Sequence, residues 1–145
     1  MEPHMPAGYS GTPLVKKLGY KPGFRCQVVH GPDHYAALVG ERPEGCVDAD
    51  RELDLCHAFY TDRALFESEL PGLMAAIKVD GMIWISWPKK ASKVPTTVNE
   101  NVVRELALPL GLVDVKVCAV DEVWSGLKLV IRKERRAEVQ AARSG

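Results

Sequence analysis

The segment Met82–Trp87, MIWISW, constrains this chain more than any other. It is short, almost wholly apolar and closed by Pro88. A half-exposed strand would alternate in polarity, so this run reads as a strand covered on both faces. Such a strand needs helices above and below it, and the flanking sequence must supply them.

The flanking sequence fits that demand. Phe24–His30 (FRCQVVH) and Leu53–Tyr60 (LDLCHAFY) read as further strands. Thr12-Pro13 opens a short helix ending at Gly19, with threonine as the cap and proline at the first helical position. A second short helix runs through Tyr35, Leu38 and Val39, and residues 40–52, with Gly40, Pro43 and Gly45, read as a loop. Thr61 or Asp62 caps a long amphipathic helix reaching about Lys78, with Phe66, Leu70, Leu73, Met74 and Ile77 at helical spacing. Pro71 is expected to kink or divide it, and Asp80-Gly81 to end it. Thr97-Val98-Asn99-Glu100 fits a capping box with Thr97 as the cap, opening a helix through Val102, Val103, Leu106 and Leu110. Leu112–Val120 and Leu127–Arg132 alternate and are joined by Asp121–Gly126, so they read as antiparallel neighbours.

Strands alternating with helices predict an α/β, Rossmann-like, mostly parallel five-stranded sheet with helices on both faces and a C-terminal antiparallel hairpin. The 145 residues suit one domain. It is expected over 12–133, after a flexible N-terminus at 1–11 and before a charged tail at 134–145 that frays or extends as a loose helix. Lysine plus arginine total 19, as do aspartate plus glutamate, so no global positive excess supports electrostatic binding of nucleic acid. No run of about 18 apolar residues is present to span a membrane. The N-terminus has no secretory pattern, and Cys26, Cys46, Cys56 and Cys118 form no C-x-x-C pair. A cytoplasmic protein with reduced thiols is expected.

Three passages resemble class I S-adenosylmethionine-dependent methyltransferases. Lys21–Val29 (KPGFRCQVV) is similar to the lead-in to that family's first strand. Leu53-Asp54-Leu55 resembles its "FDL" opening, and Ile77–Ser86 (IKVDGMIWIS) its "LKPGGRLVIS" passage. The resemblance covers roughly residues 21–132 and implies that fold in reduced form. The family's first strand leads into a glycine-rich loop, whereas Val29-His30-Gly31-Pro32-Asp33-His34 has one glycine. The acidic residue that holds the ribose in that family has no evident counterpart. The stretch from Val29 to Leu53 is too brief for the family's second and third strands with their helix. Half of the usual cofactor pocket is therefore expected to be missing. Longer strings, Ala7–Gly19, Ser86–Ser92 (SWPKKAS) and Val103–Lys133, resemble a bacterial domain family with no assigned activity.

Ligands of open parallel sheets lie beyond the carboxyl ends of the strands. Three segments are expected there: His30–His34, Tyr60–Asp62 and Trp87–Lys93. In the last, Lys89, Lys90, Lys93 and Ser92 suit a phosphate or carboxylate, with Trp87 as a stacking group. The alternative is a solvated basic loop. His30 and Gly31 belong to the first segment. Ser10-Gly11-Thr12 is ordinary capping or a second anion site. His30 and His34, with Cys56-His57, could imitate zinc ligands, but no tight pair is visible and no metal is expected. Cys26 and Cys56 lie in apolar runs, which disfavours a reactive thiolate. Trp124 lies in the final connection, where exposure would make it an interaction anchor.

The sequence thus points to a Rossmann-like domain that is not a working methyltransferase and binds a small anionic ligand or a protein partner at the strand ends. The alternatives are an S-adenosylmethionine-dependent methyltransferase with an altered cofactor loop, and a regulatory interaction module. The residues identify no cofactor.

Overall fold

The computed structural model describes residues 12–144. The N-terminal segment 1–11, with Ser10-Gly11, lies outside the described residues. The doubly covered strand is β4 (Ile77–Pro88), which pairs in parallel with β3 (Leu53–Phe59). Beyond β3 lie β1 (Arg25–Val29) and β2 (Val47–Asp48), both parallel. On its other side β4 pairs antiparallel with β6 (Trp124–Ile131), which pairs antiparallel with the edge strand β5 (Leu112–Ala119). The order is β2-β1-β3-β4-β6-β5. The sheet is Rossmann-like and mostly parallel, closed by the expected antiparallel hairpin. It has six strands rather than five, because Val47–Asp48, inside the expected loop, pairs with Arg25 and Cys26.

Both faces are covered, as the apolar run demands. Ile83, Ile85 and Trp87 pack beneath α3 (Arg63–Ala76), α4 (Glu100–Ala107) and α5 (Arg136–Ser144), whose Phe66, Leu70, Val103 and Val139 meet them. Trp84 faces the opposite way, toward α1 (Leu14–Leu18) and α2 (Tyr35–Val39), among Leu18, Tyr20, Val39 and Leu55. Its indole N–H donates to the Leu18 carbonyl at 2.7 Å, which satisfies the one polar atom of a fully buried ring.

Several local expectations are corrected. α3 is one helix through Pro71 and ends at Ala76, capped by Asp62, which accepts from the Leu65 N–H at 2.9 Å. Asp80-Gly81 does not end it but lies within β4. A Cβ on Gly81 would stand 2.6 Å from the Leu53 carbonyl oxygen, so only glycine fits this crossing of strands. Asn99, not Thr97, caps α4 by accepting from Val102 N–H. Thr97 instead accepts from the Arg63 N–H at 2.7 Å and ties α3 to the loop before α4. Pro13 precedes α1 and no side chain caps it, so Thr12 does not act there. The charged tail is a docked helix: Arg143 donates to the Ile77 and Met74 carbonyls at 2.7 and 3.0 Å. No helix among the described residues is long and apolar enough to cross a membrane.

Burial separates core positions from the edge. Ile83→Ala is expected to lose about 2–5 kcal/mol of stability. Val115→Ala, 53% exposed on β5, should change it by less than about 0.5 kcal/mol. Urea unfolding midpoints measure both, and comparable losses would contradict this arrangement.

Candidate functional site

The carboxyl edge of the sheet divides into two halves. The half beyond β1 carries exposed side-chain pairs, with His30 45% and His34 57% exposed. His30 adopts φ 55° and turns its ring edge-on to Tyr60, with centroids 5.4 Å apart. His30 Nε2 lies 2.8 Å from Glu69 Oε1, and the Tyr60 hydroxyl donates to the same oxygen at 2.7 Å. That Tyr60 bond, with His30 adding to it, holds the Glu69 carboxyl below its ordinary range. His34 Nε2 lies 3.1 Å from Asp121 Oδ2, joining the loop after β1 to the turn between β5 and β6. The other Asp121 oxygen accepts from the Val123 and Trp124 N–H groups at 2.8 and 2.7 Å. Burial raises the Asp121 carboxyl, and these bonds outweigh it, so the net shift is downward.

Gly31 is demanded by its own strand, since a Cβ there would meet Val28 Cγ1 at 2.5 Å. β2 stops where Asp48 faces Cys26, three residues below the end of β1 at Val29. At about 3.3 Å per residue that is roughly 10 Å short of the carboxyl edge. Its one acidic residue, Asp48, pairs with Arg42 at 2.8 Å. Thr61 and Asp62 are likewise occupied: the Thr61 carbonyl accepts from Thr97 N–H and the Thr96 hydroxyl, and Asp62 caps α3.

The other half lies beyond β4. A cleft of about 680 Å³ is walled by Trp87, Pro88, Lys89, Lys90, Lys93, Asn99, Glu100 and Ser125. Lys89, Lys90 and Lys93 are brought together there, and none of them makes an ion pair among the described residues. Glu100 is the carboxylate in this wall, and Arg104 of the next turn takes it. Two expected members behave differently. Ser92 spends its hydroxyl on the Lys89 carbonyl at 2.7 Å, holding the lysine turn rather than facing the cleft. Trp87 is nearly buried in the core and offers the cleft a wall, not a free ring. His30 and Gly31 stand beyond β1, exposed and apart from this cleft.

Trp124, which exposure would have made an interaction anchor, is partly buried. It opens β6, half-buried, with its ring edge-on to Phe59 at 5.0 Å. Phe59 stacks on His57 at 4.3 Å. His30, His34 and His57 do not converge: the first two hold separate carboxylates, and His57 is buried inside. Burial pushes the Cys26 and Cys56 thiols up to about 12, the direction of unreactive sulfur.

A buried hydrogen-bond chain was missed by the sequence reading. Ser86 Oγ lies 2.7 Å from His57 Nε2, His57 Nδ1 lies 2.9 Å from the Tyr35 hydroxyl, and that hydroxyl lies 2.9 Å from Tyr20's. Ser86 and His57 have no exposure. Counting protons sets the direction. If Ser86 donates to Nε2, the surplus hydroxyl proton falls on Tyr20, which retains 5% exposure. The reverse would strand that proton on fully buried Ser86. His57 therefore carries its proton on Nδ1. Ser86 bonded to a basic nitrogen has the pattern of an activated nucleophile. Yet no surface of either residue is open, so the chain acts in the fold. The available signal was Ser86 and His57 themselves, polar residues in strands buried on both faces.

Solved structures share this architecture. An S-adenosylmethionine-dependent methyltransferase from Aquifex aeolicus is 16% identical, with TM-score 0.60 over 81% of this chain and 87% of its own. DhpI, solved with SAH, is 10% identical, with TM-score 0.57 over 83% of each chain. A NADB-Rossmann superfamily protein from Streptococcus agalactiae is 9% identical, with TM-score 0.51 over 83% of this chain and 68% of its own. The likeness is one of fold, Rossmann-like and methyltransferase-like. No family model and no curated protein matches the chain, so the bacterial family resembled by Ala7–Gly19, Ser86–Ser92 and Val103–Lys133 gains no support there.

The buried imidazole makes stability depend on pH. Burial lowers His57 from 6.5 to about 3, so the unfolded chain binds the extra proton between those values. Stability should fall as pH drops below 6.5, by up to about 1.4 kcal/mol per pH unit. His57→Gln should flatten the curve between 6.5 and about 4.5, above the ordinary range of carboxylates. Chemical denaturation across that range measures it, and an unchanged slope would refute the buried neutral imidazole.

Proposed function

We propose that this domain binds a small anionic ligand in the cleft beyond β4, with the ammonium groups of Lys89, Lys90 and Lys93 as its charge partners, and does not work as a methyltransferase. The carrying observation is that cleft: three lysines without ion-pair partners among the described residues, around about 680 Å³ at the carboxyl edge. Open α/β sheets take ligands at this edge, and ammonium groups suit carboxylates and phosphates. Asn99 and Glu100 bring the first turn of α4 to the same cleft, whose dipole also favours an anion.

The methyltransferase reading rests on the fold it shares with the Aquifex protein and with DhpI. Against it stand a loop after β1 whose histidines are paired with Glu69 and Asp121, and a β2 that ends too low to present a ribose partner. The interaction-module reading would use Trp124, which is half-buried with its ring edge-on to Phe59.

A thermal-shift screen of phosphometabolites, carboxylates, nucleotides and S-adenosylmethionine tests this. A binder at a hundredfold excess over its Kd should stabilise the protein by about 2.7 kcal/mol. The double variant Lys89→Ala, Lys90→Ala should lose that response while its own stability moves by less than about 0.5 kcal/mol. A response to S-adenosylmethionine that survives the double variant would overturn the proposal in favour of the methyltransferase.

A further inference from the structure

We propose that the face of the sheet beside α1 carries a second anion site, formed by Lys17, Lys21, Lys116 and Lys128, that takes a small oligophosphate-bearing ligand. The register of β5 builds it. Asp114 pairs with Leu129 and Lys116 with Lys128, so Val115 is an extra residue and the alternation of β5 slips there. The slip leaves Asp114 on the α4 side, bonded to Arg104 at 3.0 Å, and turns Lys116 to the opposite face. Lys128 is the cross-strand partner of Trp84, which fixes it on the α1 face. Two lysines thus stand directly opposite each other across an antiparallel pair, an arrangement that destabilises a sheet.

Lys17 and Lys21 flank Leu18 and Tyr20, which pack on the same face. Lys128 is half-buried, and burial first, then Lys116 and Lys21, lowers its ammonium. Lys17 and Lys116 both act on the Cys118 thiol, which burial raises. None of the four lysines makes an ion pair among the described residues. A partly desolvated cluster of one sign is relieved by an anion of high charge. Ammonium groups on separate elements suit phosphate oxygens as point charges. The zero net charge of the chain gives no long-range pull on nucleic acid, so a small ligand is favoured.

Calorimetric titration of the full chain with tripolyphosphate, set against sodium chloride of equal ionic strength, is the test. Binding is expected, and Lys128→Met and Lys116→Met should each weaken it by about tenfold or more. Lys128→Met should also raise Tm in phosphate-free buffer, because it removes the repulsion and keeps the apolar stem. The double variant Lys89→Ala, Lys90→Ala should leave this affinity unchanged, which separates the site from the cleft beyond β4. The inference is overturned if tripolyphosphate does no more than the chloride control, or if its binding depends on Lys89 and Lys90 instead. Tighter binding of a single-stranded oligonucleotide than of tripolyphosphate would also overturn it.

Discussion

A strand with no water on either side must find a partner for every polar atom it carries, and in β4 that requirement falls on the Trp84 indole, met by the Leu18 carbonyl, and on Ser86. His57 answers Ser86 from the neighbouring strand, and the demand then passes outward. A buried imidazole has a second nitrogen, met by Tyr35 from α2, and the Tyr35 hydroxyl is met by Tyr20 after α1. One hydroxyl in the middle strand thereby fixes two helices against the sheet. Removing any member would leave a buried group unpaired, at a cost of about 1–3 kcal/mol. Gly126 in β6 belongs to the same arrangement, because a Cβ there would crowd Ser86 Oγ at 3.2 Å.

The short loop between β1 and α2 leads into the helix that Tyr35 ties to His57. Its two histidines reach carboxylates on either side, Glu69 on α3 and Asp121 in the β5–β6 turn. A glycine-rich loop in this place would leave backbone N–H groups open to a cofactor. Here the loop has one glycine, and its histidines pair with carboxylates instead. Beyond β4 nothing comparable happens: the chain turns back through Lys93 in a left-handed conformation and leaves its ammonium groups around a cleft.

The fold was legible wherever a pattern was longer than a few residues. MIWISW announced the doubly covered strand, the spacing of Phe66, Leu70 and Leu73 announced α3, and the alternation of β5 and β6 announced the hairpin. Features set by one or two residues or by tertiary contacts were not legible. β2 is a two-residue ladder, too short to show a period. Asn99 and Thr97 are both good caps, and only the contact of Thr97 with Arg63 decides between them. Trp124 looked free because β6 starts before the alternation becomes clear. For the cleft, the lysines were readable as a cluster. The inward turn of Ser92 was not, since a serine beside lysines reads the same whether it faces a ligand or its own backbone.

Charge shows how a tally and an arrangement differ. Equal numbers of acidic and basic residues set the far field, which salt screens beyond about 10 Å. Near a surface, pairing decides which sign remains. Asp54 meets Lys78, Asp114 meets Arg104, Glu105 meets Arg63, and Asp62 caps a helix. These four carboxylates have partners, while lysines at the end of β4 and on the hairpin face stand without ion pairs among the described residues. A chain that is neutral overall therefore still carries two local groups of unpaired lysines, felt at short range. Local charge of this kind is what the proposed small-anion sites require, whereas drawing long polyanions from a distance would require a far field.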